Sequence, residues 1–298
     1  MRVVYASLFL NGVALALKAY SVSVSTSASV DAEFLHGLGD FVNSTLLATG
    51  LVFMYRKPSI KFPFGWGRTI YVFGLLSAAI LGGFLFSLSL MKGLTQLRTM
   101  EDVVSSQSAI VALLLALATD MAVLIWALIE SRKYSEDPSV VGTVVENLAD
   151  GVGDLTALMS LVFLNPLIDA YGAFIISGIL LFSSLNLGLK YFHVLIGGAA
   201  PKNVVGRAIK VAVSLPHVID VNEVKSLVVA PDEYLLIMEI EVSPDLSTEI
   251  LEDLRNELSE RLKEAEPRIK YLIVEFRTPK EPPASFKKLL DDLIRLKE

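Results

Sequence analysis

Apolar residues run along this chain in six blocks, each long enough to cross a hydrocarbon core of about 30 Å as a helix. The blocks fall at 3–24, 31–55, 69–95, 106–131, 139–163 and 167–195. A short link containing Asn165-Pro166 separates the last two, which predicts a tight helical hairpin. Beyond Pro201 the long runs stop and shorter periods replace them. A helical pattern over 203–214 precedes a strand over 218–229, and Pro231-Asp232-Glu233 marks a turn into the alternating strand 234–243 (YLLIMEIEVS). Ser247 or Thr248 then caps a helix ending near 265, with Glu249, Glu252 and Asp253 well placed against its N-terminal dipole. The strand 269–277 (IKYLIVEFR) completes an αββαβ order, read as a ferredoxin-like sandwich. After Pro282-Pro283, Ser285 opens a final helix with an apolar stripe of Phe286, Leu289, Leu290, Leu293 and Leu296, expected to pack on this domain or on a second copy. The expected fold class is a membrane α-helical bundle of six transmembrane helices (1–200) followed by a C-terminal α+β cytoplasmic domain (201–298).

Composition supports that division. A mean hydropathy of +0.57 is too apolar for an ordinary soluble domain, and the excess lies before residue 200. The net charge of −6 comes mostly from the C-terminal part and argues against nucleic acid as a partner. Cysteine is absent, so disulfides and thiolate metal sites are excluded. The opening Met1-Arg2 and the small residues 25–29 imitate a signal peptide, but one basic residue and the many later spans tell against that reading. Arg2, Arg56, Lys57, Lys61, Arg68, Arg132 and Lys133 fall on one side of the expected bundle, with Lys202. Lys92 and Arg98, offset by Glu101 and Asp102, fall on the other. The positive-inside rule therefore predicts a multi-pass protein of the cell membrane, surrounded by lipid, with both termini cytoplasmic. Gly74, Ala78 and Gly82 form a small-residue face on the third span, suited to packing within the chain or to a dimer contact.

Candidate chemistry lies inside the spans. The second span, EFLHGLGDFVNSTL, sets Glu33, His36, Asp40 and Asn43 at steps of three and four. The fifth, ENLADGVGDLTAL, sets Glu146, Asp150 and Asp154 at steps of four, with Asn147 alongside. Residues four apart share a helix face. An Asp near the bilayer midplane costs about 2.5–3.5 kcal/mol, so these groups are expected to face one another, water or a bound cation. His36, Asp40, Asp150 and Asp154 together form a set suited to tetrahedral Zn²⁺, while carboxylate-rich sets also suit Mn²⁺ or Fe²⁺. A single His/Asp pair reads equally as a structural hydrogen bond, but two pairs on separate spans favour a cation site. Gly37, Gly39, Gly151 and Gly153 beside the ligands leave room for helix approach or water. Glu33 and Glu146, nearer the helix ends, are read as vestibule residues, with Asn43 and Asn147 as outer groups. Asp120, alone in the fourth span, is either a relay or outer-shell group or a partner of a neighbouring Ser or Thr. His193 and His217 are isolated and read as structural. No H-E-x-x-H pair is present, so an intramembrane metalloprotease is disfavoured and no enzymatic role is expected. A monovalent-cation carrier is a weaker alternative, since a hard Na⁺ site favours oxygen ligands over imidazole; a scaffold or sensor acting through 201–298 is another.

These motifs resemble the cation diffusion facilitator family of six-span metal/proton antiporters. The resemblance rests on Asn11 and Lys18, the STSASVDAEFLHGLGD run, PFGWGR (63–68), ENLADGVGD and LIDAYGAFIISGILL (167–181). It implies alternating access, homodimers paired through the cytoplasmic domain, and His36, Asp40, Asp150 and Asp154 as ligands for a transported divalent cation, with no resident cofactor. In that family, zinc-selective members usually carry His where this chain has Asp150, and manganese-type members carry Asp where it has His36. The pattern here mixes the two. Some bacterial members of that family bind metal in the loop before the third span and on the soluble domain with several His residues. Residues 56–68 hold no His or acid, and His217 is the lone His beyond 201, so such sites are expected to be missing or built from carboxylates.

Overall fold

The computed structural model describes residues 2–131 and 138–279, with side chains from residue 9 onward except at 126, 127 and 130–147. The expected final helix after Ser285 and the Arg132-Lys133 loop lie outside the described residues. The chain divides into two compact units, Met1–Phe53 with Thr69–Phe192, and Met54–Arg68 with His193–Glu298.

The first unit is helical: α1 (Arg2–Ser23), α2 (Ala28–Met54), α3 (Thr69–Ala79), α4 (Phe86–Thr99), α5 (Gln107–Ser131), α6 (Pro138–Phe163) and α7 (Pro166–Leu195). A π-helical segment, Ile80–Leu85, joins α3 to α4 in one continuous rod. Among the described residues, four stretches are long and apolar enough to cross a membrane: Ala28–Met54, Thr69–Thr99, Gln107–Ile125 and Pro166–Leu195. α1 and α6 are helices of 22 and 26 residues.

Local chemistry sets the joints between these helices. Leu164 takes a left-handed φ of 50° to end α6, and Asn165 Oδ1 accepts from the amides of Leu167 and Ile168, so Pro166 opens α7 at the position where no amide is needed. The start of α2 is held by Asp169 of α7. Its buried carboxylate accepts from the Ala28 and Ser29 amides at 2.7 and 3.0 Å and from the Ser27 and Ser29 hydroxyls at 2.5 and 2.8 Å. That arrangement satisfies donors that a helix start otherwise leaves orphaned. Small residues let the helices close on one another, with Ala28, Ala32, Ala109, Ala157 and Ala173 packed around Val30, Leu113, Leu161 and Ile176. The small-residue face of the third span receives α7. A side chain at Gly74 would meet the Tyr191 ring, one at Gly82 would meet the Ser184 hydroxyl, and Gly188 approaches Ala78.

The second unit runs α8 (Lys202–Val213), β1 (Val218–Ala230), β2 (Glu233–Val242), α9 (Thr248–Ala265) and β3 (Ile269–Arg277). β1 and β2 form an antiparallel hairpin from Val218↔Val242 to Ala230↔Glu233, and Asp232 supplies the positive φ of the turn. β3 joins β2 in parallel, giving sheet order β1-β2-β3. Parallel neighbours need a crossover, and α9 provides it, with Ser247 Oγ accepting from Ile250 N as its cap. Leu254, Leu258 and Leu262 of α9 are buried, as are Val204 and Ala208 of α8 and Leu236, Met238 and Ile240 of β2.

Residues 54–68 group with this second unit, whereas the sequence reading kept them with the spans. The physical reason is local. Arg68 Nε and Nη2 both donate to the Val228 carbonyl at 3.0 and 2.8 Å, Phe64 packs edge-on to Tyr271, and Gly67 lies so close to Ala230 that any side chain there would collide.

Candidate metal centre

The i,i+4 spacing on α2 and α6 places His36, Asp40 and Asp150 together. His36 Nε2 lies 2.8 Å from Asp150 Oδ1 and 3.6 Å from Asp40 Oδ2. One ligand atom from each of the three residues falls within 4.8 Å of the others. The His36 ring is buried, while the Asp40 and Asp150 side chains keep 20% and 15% exposure, enough for water or a cation to reach them. His36 Nδ1 is buried with no hydrogen-bond partner among the described residues, so the ring's one polar contact there is made by Nε2. Nε2 can therefore donate to Asp150, as here, or present its lone pair to a cation.

The expected four-ligand set is divided. Asp154, one turn along α6 from Asp150, is fully buried and faces Lys18 of α1, with Nζ 3.0 Å from Oδ1. The same ammonium lies 2.7 Å from Glu33 Oε1 and 3.2 Å from Asp120 Oδ2. The site thus has two compartments, a His/Asp/Asp triad and a lysine surrounded by three carboxylates. Glu33 corrects the vestibule expectation, because it is completely buried and paired with Lys18. Asp120 accepts from Lys18 Nζ, and among the described residues no Ser or Thr hydroxyl meets it. Asn43 accepts from Ser77 Oγ at 2.9 Å, tying α2 to α3. The side chains of Glu146 and Asn147 lie outside the described residues. His193 and His217 are exposed.

Glycines make the second compartment possible. A side chain at Gly37, next to His36, would press to 3.3 Å of Lys18 Cδ, and one at Gly153, next to Asp154, would fall on the Glu33 carboxylate. Reading the residues alone did not place Lys18 in the site, although a signal was available. A charge in the middle of an apolar helix needs a partner of opposite sign, and buried acids on other spans are the natural ones.

Residues 4–196 match the family model described as the cation efflux transmembrane domain. The chain is similar to metal tolerance protein C4 of Arabidopsis thaliana, with 25% identity over 258 residues, covering 80% of this chain and 56% of that protein. It is also similar to the mitochondrial proton-coupled zinc antiporter SLC30A9 of Xenopus laevis, with 28% identity over 243 residues, covering 76% of this chain and 44% of that protein. The chain thus spans about half the length of the curated relatives it matches. Among solved structures, a nickel form of the MamM CTD is similar at 20% identity and TM-score 0.26, covering 27% of this chain and 100% of that one. With the cation efflux match covering most of the chain, this protein belongs to the cation efflux family, the cation diffusion facilitators.

Proposed function

We propose that this chain is a secondary transporter that exports a divalent transition-metal cation, Zn²⁺ foremost, from the cytoplasm in exchange for protons by alternating access. The observation that carries this reading is the triad of His36, Asp40 and Asp150, whose ligand atoms gather within 4.8 Å in a membrane-type helical unit. One imidazole nitrogen and carboxylate oxygens suit Zn²⁺, with Asp154 as the fourth ligand. The same donors accommodate Mn²⁺ or Fe²⁺, whereas the imidazole disfavours a hard monovalent ion. The names of the relatives, a metal tolerance protein and a proton-coupled zinc antiporter, support the same direction.

Coupling to protons follows from the ligand chemistry. Imidazole and carboxylate bind a metal only when deprotonated, so a proton arriving from the outer side competes directly for the cation's ligands. In this reading six helices cross the cell membrane, both termini are cytoplasmic, and the αββαβ unit is a ferredoxin-like domain that pairs two copies. It performs no chemistry on its cargo and needs no resident cofactor. The test is Zn²⁺ flux into liposomes under a pH gradient. His36→Ala and Asp40→Ala are each expected to abolish flux in protein that is inserted and folded; near-normal flux in both overturns the reading.

A further inference from the structure

Lys18, Glu33 and Asp120 have no part in that reading, yet they surround Asp154, one of its four ligands. We propose that Lys18 is a tethered competitor for the cargo cation, so that Asp154 has two alternative cationic partners, the Lys18 ammonium and the transported metal. The proposal rests on the cargo-site reading above and adds a specificity-determining residue to it.

Geometry favours Asp154 as the exchangeable carboxylate. Glu33 Oε1 and Asp120 Oδ2 each accept a hydrogen bond from Lys18 Nζ, at 2.7 and 3.2 Å. Asp154 Oδ1 is at 3.0 Å from the same nitrogen, yet neither of its oxygens receives an aligned hydrogen bond among the described residues. Asp154 is therefore the least well aligned of the three carboxylates on the ammonium. It can leave while Lys18 stays paired with Glu33 and Asp120. Its position one helical turn from Asp150 puts the triad within reach of a side-chain rotation. The space is specific to this arrangement, because Gly37 makes room for the lysine stem and Gly153 for the Glu33 carboxylate.

The exchange has a direct energetic consequence. In a low-dielectric interior a divalent cation and an ammonium repel strongly, and a carboxylate shared between them is contested. Lys18 therefore weakens cation binding, lets Asp154 complete the coordination only while the metal is present, and returns to Asp154 as the metal departs. Such a site releases its cargo instead of trapping it. No proton moves in this step.

The test uses the full-length chain, with Zn²⁺ affinity measured by calorimetry at one fixed pH and Zn²⁺ flux measured in liposomes. Removing the ammonium by Lys18→Gln or Lys18→Met is expected to tighten Zn²⁺ binding by about tenfold or more while slowing flux, a divergence that mere structural damage does not produce. In an Asp154→Asn background, Lys18→Gln is expected to tighten Zn²⁺ binding by clearly less, because only the direct ammonium–cation repulsion is then left to relieve. Wild-type or weaker affinity in the Lys18 variants overturns the proposal, as does an equal Lys18→Gln effect with and without Asp154. A measurement free of substitutions stands beside these, the structure of the unaltered chain with Zn²⁺ bound. It should show Asp154 on the cation and Lys18 held by Glu33 and Asp120; a persistent Lys18–Asp154 pair overturns the proposal. If Asp40→Ala binds Zn²⁺ as tightly as the unaltered chain, the cargo-site reading itself fails. If Asp40→Ala abolishes binding while Lys18 variants change nothing, only the Lys18 proposal falls.

Discussion

His36 Nε2 stands 2.8 Å from Asp150 Oδ1, joining α2 to α6 across 114 positions of sequence. This contact brings one half of the candidate site to the other, and it pairs the group that favours zinc with the group that favours harder metals. Asp150 is thus the position where selectivity should be most easily moved. Asp150→His replaces a carboxylate oxygen with a second imidazole nitrogen, and imidazole suits Zn²⁺ while carboxylate suits Mn²⁺. The ratio of Zn²⁺ to Mn²⁺ affinity is expected to rise by about tenfold, with steeper loss of Zn²⁺ at acid pH because two imidazoles must then be deprotonated. Calorimetric titration of both metals between about pH 5.5 and 8 checks this. An unaltered ratio would remove Asp150 from the cargo site.

Asp169 offers a separate test of how the helical unit is held together. Its Oδ1 accepts from Ser27 Oγ, Ser29 N and Ser29 Oγ, and its Oδ2 from Ala28 N. Asp169→Asn nearly preserves shape but supplies one acceptor oxygen and turns an NH₂ group toward donors. A buried donor left without its acceptor costs about 1–3 kcal/mol, so the Asn variant should melt at clearly lower temperature in detergent. Ser27→Ala removes the hydroxyl that donates to Asp169 and accepts from the Val30 amide, the loss of a helix cap, and should cost about 0.5–2 kcal/mol. A melting curve for Asp169→Asn that overlays the unaltered chain would show that the carboxylate is not what anchors α2.

The same contrast explains what was readable from sequence. Long apolar runs and alternating strands announce themselves by period, so the helices and the αββαβ order could be located without coordinates. The two candidate pairs are visible because i,i+4 spacing is a property of one helix. Partnerships between helices have no such spacing. Lys18 meets Glu33, Asp120 and Asp154 across 15, 102 and 136 positions, and nothing in a one-dimensional pattern says which buried acid a lysine will find. Asp169 hides for the same reason, reading as one acid near a helix start when its work is to cap a different helix. The Ile80–Leu85 π segment is also silent, because a widened turn is imposed by packing and not by residue type. Residues 54–68 mislead because a loop between two spans looks like part of the bundle until Arg68 is seen on Val228.

In the second unit, the buried Glu266 closes a partly exposed charge cluster with a definite pH dependence. Arg268 donates to its two oxygens at 2.6 and 2.9 Å, and Arg207 reaches one of them at 3.3 Å, linking the end of α9 to β3 and α8. The Arg268 hydrogen bonds hold the Glu266 carboxyl below the usual glutamate range; burial opposes them, and the charges of Arg268 and Arg207 add to them. The same bonds raise Arg268, which stays charged throughout. Because the folded value is the lower one, the pair's contribution is complete above the unfolded glutamate value of about 4.3 and is lost as pH falls through the folded value. Glu266→Gln is therefore expected to destabilise the unit near neutral pH, and its deficit should shrink as the pH is lowered below about 4.3. Thermal unfolding of the full-length chain, followed through Trp66 in a Trp126→Phe background, reports on this unit because Trp66 lies in the 54–68 segment that belongs to it. A deficit that stays constant from neutral to acid pH would mean that Glu266 contributes shape and not charge.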